Sequence, residues 1–152
     1  MKKNFNSMDE VLDFAIEKER EAAEFYIYWA DRVSDRTLKQ VLLRFAEEEK
    51  KHERKIKKVK KGEVVLKPEG KILDLKISDY LSETKPGEEM DYQEALRIAM
   101  QREKESFRLY MNLAESVPDE NLRNLFLGLA QEEATHKLRL ETLYDEIVYS
   151  EN

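Results

Sequence analysis

The chain has only two histidines, and each follows a glutamate by three residues, as Glu49-x-x-His52 and Glu133-x-x-His136. On an α-helix that spacing puts both side chains on one face, one turn apart. Each pair can therefore offer a carboxylate oxygen and an imidazole nitrogen to one point. There is no cysteine, which excludes disulfides, thiolate zinc sites, Cys-ligated iron–sulfur centres and cysteine nucleophiles. Any metal must be held by nitrogen and oxygen, donors that suit iron or manganese and also admit zinc.

The two motifs belong to a longer repeat. One ungapped shift of 84 residues carries Glu49 and His52 onto Glu133 and His136, and also Ala15 onto Ala99, Glu19 onto Glu103, Tyr26 onto Tyr110, Val33 onto Val117, Leu38 onto Leu122 and Ala46 onto Ala130. Two copies indicate duplication of one supersecondary unit rather than a stacked array. Glu19 and Glu49 are each 15 residues from Ser34, and Glu103 and Glu133 each 15 from Pro118. If the chain reverses at those two points, each glutamate pair lies roughly 22 Å of helix from its turn and so at one level.

Glu19, Glu49, His52, Glu103, Glu133 and His136 fall in otherwise apolar helical registers, where an ionised carboxylate is prohibitively costly unless something pairs with it. One Glu from each of two helices plus Glu-x-x-His from each of the other two matches the ligand arrangement of di-iron and di-manganese carboxylate bundles. Tyr26 and Tyr110 lie seven residues beyond Glu19 and Glu103 on the same faces, where a hydroxyl can bond a ligand carboxylate or serve as plain core. Glu21 and Glu105 should point away to the surface, and Glu48 and Glu132, one residue off the ligand position, should be peripheral. The run Lys57-Lys58-Val59-Lys60-Lys61 ends a helix, where cations complement the dipole.

The elements needed to position these residues are four helices. Apolar spacing marks Leu12, Ala15, Ala22, Tyr26, Ala30 and Val33 as one stripe and Leu38, Leu42, Phe45 and Ile56 as the next. The second copy repeats them with Leu96, Ala99, Tyr110, Leu113 and Val117, then Leu122, Phe126, Leu129, Leu140 and Ile147. Ser7 with Glu10, and Asp91 with Glu94, have the spacing of helix starts, and Ser34-Asp35 and Pro118-Asp119 mark the breaks within each hairpin. Residues 61–90 contain three glycines and two prolines, so they cannot form one regular helix. They are expected to pack against the bundle, with a short helix after Ser78. The expectation is a single all-α domain over residues 1–152: hairpin 1 at about 8–60, a crossover at 61–90 and hairpin 2 at about 91–149. Two hairpins joined by one long crossover have the ferritin-like connection.

Composition agrees. At 152 residues the chain suits one domain, and its four glycines and three prolines fit long helices. Charged residues make up 39%, nearly balanced in sign, with net charge −6 and pI near 5.2. That balance argues against nucleic-acid binding. No run approaches the roughly 20 apolar residues needed to span a bilayer, and the first residues lack the apolar core of a signal peptide. A soluble cytoplasmic protein is expected.

The motifs Ala15-x-x-x-Glu19-x-x-Ala22-x-x-x-Tyr26, Glu49-x-x-His52, Ala99-x-x-x-Glu103-x-x-Ser106-x-x-x-Tyr110 and Glu133-x-x-His136 make the chain resemble the rubrerythrin group of the ferritin-like superfamily. The resemblance covers about residues 8 to 147 apart from the linker. It implies a ferritin-like bundle, commonly dimeric, whose two non-haem irons react with peroxide or dioxygen. By position, Glu49 and Glu133 would bridge the irons, Glu19 and Glu103 would be terminal ligands, and His52 and His136 would each give one nitrogen. There are two departures. Without cysteine the chain has no rubredoxin-like module, so electrons must come from a separate protein or from ferrous iron. Ser106 stands where typical rubrerythrins carry a further glutamate, so the symmetric six-residue set looks closer to a bacterioferritin-type ferroxidase centre. A peroxide- or oxygen-reducing oxidoreductase is the leading expectation. A ferroxidase or storage protein, a di-iron hydroxylase and a helical interaction protein with structural metal are the alternatives.

Overall fold

Each helix begins where a short acceptor side chain can cap it. Ser7 Oγ accepts from the Glu10 amide at 3.1 Å, Asp35 from Leu38 at 2.8 Å, Asp91 from Glu94 at 2.9 Å and Asp119 from Leu122 at 2.9 Å. These bonds satisfy amides that the first turn leaves without intrahelical partners. The computed structural model describes residues 7–63 and 91–151. Its four long helices are α1 (Met8–Ala30), α2 (Arg36–Lys58), α3 (Tyr92–Ser116) and α4 (Glu120–Glu151). After α2 a wider turn, Val59–Glu63, contains Gly62, whose φ of +83° lies in the left-handed region that glycine enters without a Cβ clash. No strand occurs among the described residues, and no described helix is long and apolar enough to cross a membrane. The expected crossover packing and the helix after Ser78 lie outside the described residues.

α1 pairs with α2 and α3 with α4 as two hairpins, with further contact between α1 and α3 and between α2 and α4. Two apolar clusters show the direction of each helix. One joins Val11, Leu12 and Ala15 of α1 and Ile56 of α2 to Leu113 at the end of α3 and Phe126 near the start of α4. The other joins Tyr26 and Trp29 of α1 and Leu42 and Phe45 of α2 to Leu96 at the start of α3 and Leu140 of α4. Hence α1 and α4 run one way and α2 and α3 the other. The end of α2 and the start of α3 lie at opposite ends of the bundle, which is the up-down-down-up ferritin-like topology with one crossover. Between the two clusters lies a polar layer made of the six residues singled out from the sequence.

Candidate metal centre

Four helices supply that layer: Glu19 from α1, Glu49 and His52 from α2, Glu103 from α3, Glu133 and His136 from α4. All six are 1–2% exposed. The structure brings them into two interleaved groups, Glu19–Glu49–His52–Glu133 and Glu49–Glu103–Glu133–His136, whose donor atoms lie within 4.8 Å of one another in each group. Glu49 and Glu133 belong to both. His52 Nδ1 is 2.9 Å from Glu133 Oε1, 3.4 Å from Glu19 Oε2 and 3.8 Å from Glu49 Oε1. His136 Nδ1 is 3.0 Å from Glu49 Oε1 and 3.6 Å from Glu103 Oε1.

Glu19 Oε2, Glu49 Oε1, His52 Nδ1, Glu103 Oε2, Glu133 Oε1 and His136 Nδ1 are all buried without a hydrogen bond. Buried polar atoms are otherwise almost always satisfied. Short separations without hydrogen-bond alignment are what atoms aimed at a common point produce, and a cation at each of two points would satisfy all six. Four carboxylates would offset the charge of two divalent ions. The residues therefore fit a dinuclear centre with one imidazole, one unshared glutamate and two shared glutamates per ion.

Titration behaviour reflects the crowding. Burial, then the charges of Glu133, Glu19 and Glu103, push Glu49 well above the usual carboxylate range. Burial followed by Glu103 and Glu19 does the same to Glu133. Burial works against a charged His52, but the carboxylates of Glu133 and Glu19 outweigh it and raise the imidazole to about 11. His136 is likewise opposed by burial and raised by Glu103 and Glu133 to about 9. Glu19 shows the opposite result: burial favours its neutral form, yet His52 and its hydrogen-bond partners hold it below the ordinary value. Four carboxylates and two imidazoles must thus share protons until cations replace them.

The surrounding side chains cross between hairpins. Tyr26 of the first copy donates its hydroxyl to Glu103 of the second, and Tyr110 of the second donates to Glu19 of the first. Both tyrosines are about 1% exposed, and burial together with Glu103 or Glu19 raises both phenols well above their usual value. They remain neutral donors.

Glu48 and Glu132, expected to be peripheral, are not bystanders. Glu132 pairs with Nε2 of His52, and Glu48 with Nε2 of His136. An Nε2–H donated outward leaves the Nδ1 lone pair facing the centre, the outer arrangement that orients a metal-binding imidazole. Both glutamates recur at the 84-residue offset, four residues before a histidine and on its face. That spacing was the available signal. Glu105 also departs from expectation: it is 3% exposed, not a surface charge. α1 covers that side of α3, placing Lys18 Nζ 3.9 Å from Glu105 Oε2, and Gln101 donates to its other oxygen at 3.3 Å. Glu21, its counterpart on α1, is exposed as expected.

Two openings approach the layer. On the α2/α4 side a cavity of about 260 Å³ has Glu48, His52, Glu132 and His136 among its lining, with Lys51, Lys55 and Thr135 around it. On the α1/α3 side a space of only about 10 Å³, room for about one water, lies beside Ala22 and Ser106 and reaches Glu49, Glu103 and Glu133.

Two solved structures share this architecture. A hypothetical protein from Pyrococcus furiosus is 28% identical, with 93% of this chain and 90% of that one covered at a TM-score of 0.74. A crystal structure from Thermotoga maritima, provisionally assigned as a ferritin-like diiron-carboxylate protein, is 20% identical, with 95% of this chain and 98% of that one covered at a TM-score of 0.75. No curated protein matches significantly. The rubrerythrin family model matches residues 10–144, which include all four helix-borne motifs. With the buried Glu/His layer and the bundle that carries it, that match makes the chain a member of the rubrerythrin family.

Proposed function

We propose that the chain is a di-iron oxidoreductase that reduces hydrogen peroxide or dioxygen, with Glu19, Glu49, His52, Glu103, Glu133 and His136 holding the two irons. The observation that carries the reading is the sharing of Glu49 and Glu133 by two complete, buried donor groups. The family and a donor set of oxygen and nitrogen alone support iron; manganese and zinc are the competitors in metal analysis. When bound, the pair of ions supplies two redox equivalents at one site. The protein's share is to fix the ligands, with Tyr26 and Tyr110 orienting the unshared carboxylates and Glu48 and Glu132 orienting the imidazoles. The space beside Ala22 and Ser106, with room for about one water, reaches the shared carboxylates and is far too small for an organic substrate.

A second reading, oxidation of ferrous iron for iron handling, is favoured by the symmetric donor set and by Ser106 in place of a further carboxylate. One experiment separates them. The reconstituted protein is assayed for iron, reduced, and mixed in stopped flow with peroxide and with dioxygen, with and without excess ferrous iron. About two irons per chain and oxidation faster with peroxide support the first reading. Repeated turnover only when ferrous iron is supplied supports the second, and less than about one iron per chain sinks both. A homodimer acting in the cytoplasm is the assembly and setting we infer, and light scattering of the loaded protein tests the dimer.

A further inference from the structure

The 84-residue repeat makes the two donor groups near copies of one another. Most of their surroundings match. Each imidazole has an outer glutamate, each unshared glutamate takes a hydroxyl from a tyrosine of the other hairpin, and Glu49 and Glu133 serve both groups. Two supports do not match, and both lie on the Glu103–His136 side. The ring of Phe45 stacks on the imidazole of His136, with 4.1 Å between centroids and 21° between planes. The residue 84 positions after Phe45 is Leu129, which has no ring, and the ring contact of His52 among the described residues is with His136 at 6.2 Å. Glu105, two residues after Glu103, is buried against α1 beside Lys18 and accepts a hydrogen bond from Gln101. Its counterpart Glu21, two residues after Glu19, is exposed.

We infer that the two ion positions fill in order, the Glu103–His136 position first and the Glu19–His52 position second, with Phe45 as the positioning residue that sets the order. A donor held in place before the ion arrives gives up less freedom on binding it. Stacking on Phe45 takes rotation away from the His136 ring in advance, and His52 has no such face against it. Packing of Glu105 under α1 steadies the turn of α3 that carries Glu103. Restraining one such side chain beforehand corresponds to about a tenfold difference in affinity. The shared glutamates and the outer glutamates act on both positions and so cannot choose between them. This rests on the two-ion site proposed above and adds to it a half-loaded chain whose single ion has a defined place.

The chain has only two histidines, so labelling histidine with nitrogen-15 gives two imidazoles to follow by NMR, told apart with a His52→Gln variant. The probe is zinc ion, which is diamagnetic, added to the metal-free full chain. At one zinc per chain about nine in ten of the bound ions should be at His136, as a tenfold preference requires. His52 should shift only as the second equivalent is added. Phe45→Leu installs the residue that the other half carries at the equivalent position, and in it the preference should drop to about twofold or less, with two zinc ions still bound. Phe45→Met, ringless and of similar volume, gives the same reading should the leucine variant fail to fold. Simultaneous shifts in the parent, His52 shifting first, or a preference that survives loss of the ring would overturn the inference and leave the two-ion site standing. No shift of either imidazole at two zinc ions per chain is a different result, and would remove the site itself.

Discussion

Tyr110 on α3 donates its hydroxyl to Glu19 on α1, so that a residue of one copy of the repeat holds a candidate ligand of the other. Tyr26 and Glu103 form the mirror relationship. Each bond spans the two hairpins at the depth of the Glu/His layer, where both partners are buried.

Tyr110→Phe removes the donor and leaves a buried carboxylate oxygen unpaired, a loss of about 1–3 kcal/mol in the metal-free protein. It should also weaken metal binding by roughly 10–100-fold. Thermal melts with and without metal measure the two effects. A variant with the parent's melting point and affinity would show that the tyrosine is simple packing.

Glu49 and Glu19 predict different stoichiometries. Glu49 belongs to both donor groups and Glu19 to one. Glu49→Gln should drop iron below about one per chain while raising the melting point of the metal-free protein, because it removes a carboxylate held among like charges. Glu19→Gln should leave one site able to load. Iron analysis beside calorimetry reads both, and identical losses would contradict the sharing.

The metal-free protein should become less stable as pH rises. The unfolded chain loses its histidine protons near the ordinary value of 6.5, whereas the fold keeps them to about 9 at His136 and about 11 at His52. The folded state therefore binds more protons throughout that window, and the stabilisation present below 6.5 is lost through it. Glu49 and Glu133, raised above 4.5, act in the same sense from lower pH. Glu19 has the opposite sign, and its loss comes only below about 4.5. Melting temperature should fall between about pH 6 and pH 9.5, and metal addition should release protons and raise it most at the alkaline end. A melting curve that climbs over this range would contradict the proton sharing.

Ser106→Leu fills the narrow space beside Glu49 and Glu133. Oxidation of the reduced centre by peroxide should slow by about tenfold or more, with iron content unchanged. An unaltered rate would mean that the oxidant arrives from the α2/α4 side.

The bundle was readable because duplication wrote each element twice. Ser7, Asp35, Asp91 and Asp119 mark the helix starts, and the apolar stripes around Tyr26 and Tyr110 supply both halves of the core. The buried Glu/His layer was readable for a related reason: charge in an apolar register has few uses. What the sequence hid were relationships between helices. Glu48 and Glu132 look like surface charge on their own helices, and only the approach of α2 to α4 aims them at His136 and His52. Glu105 is buried because α1 lies over it, a fact of packing that helical period alone does not contain. Nor does the offset reveal that the tyrosines exchange partners, since a hydroxyl within reach of its own copy's glutamate has the same spacing.

Those exchanges bear on ancestry. Each of the two donor groups draws on both halves: Glu133 completes the group around His52, and Glu49 the group around His136. A polypeptide with one copy could not have enclosed a complete dinuclear site alone, and would have gained one only by pairing with a second such polypeptide. Fusion made that partnership permanent. It also released the two halves from being identical, and Phe45 now stacks on His136 while the residue 84 positions after Phe45 is Leu129, which has no ring to stack.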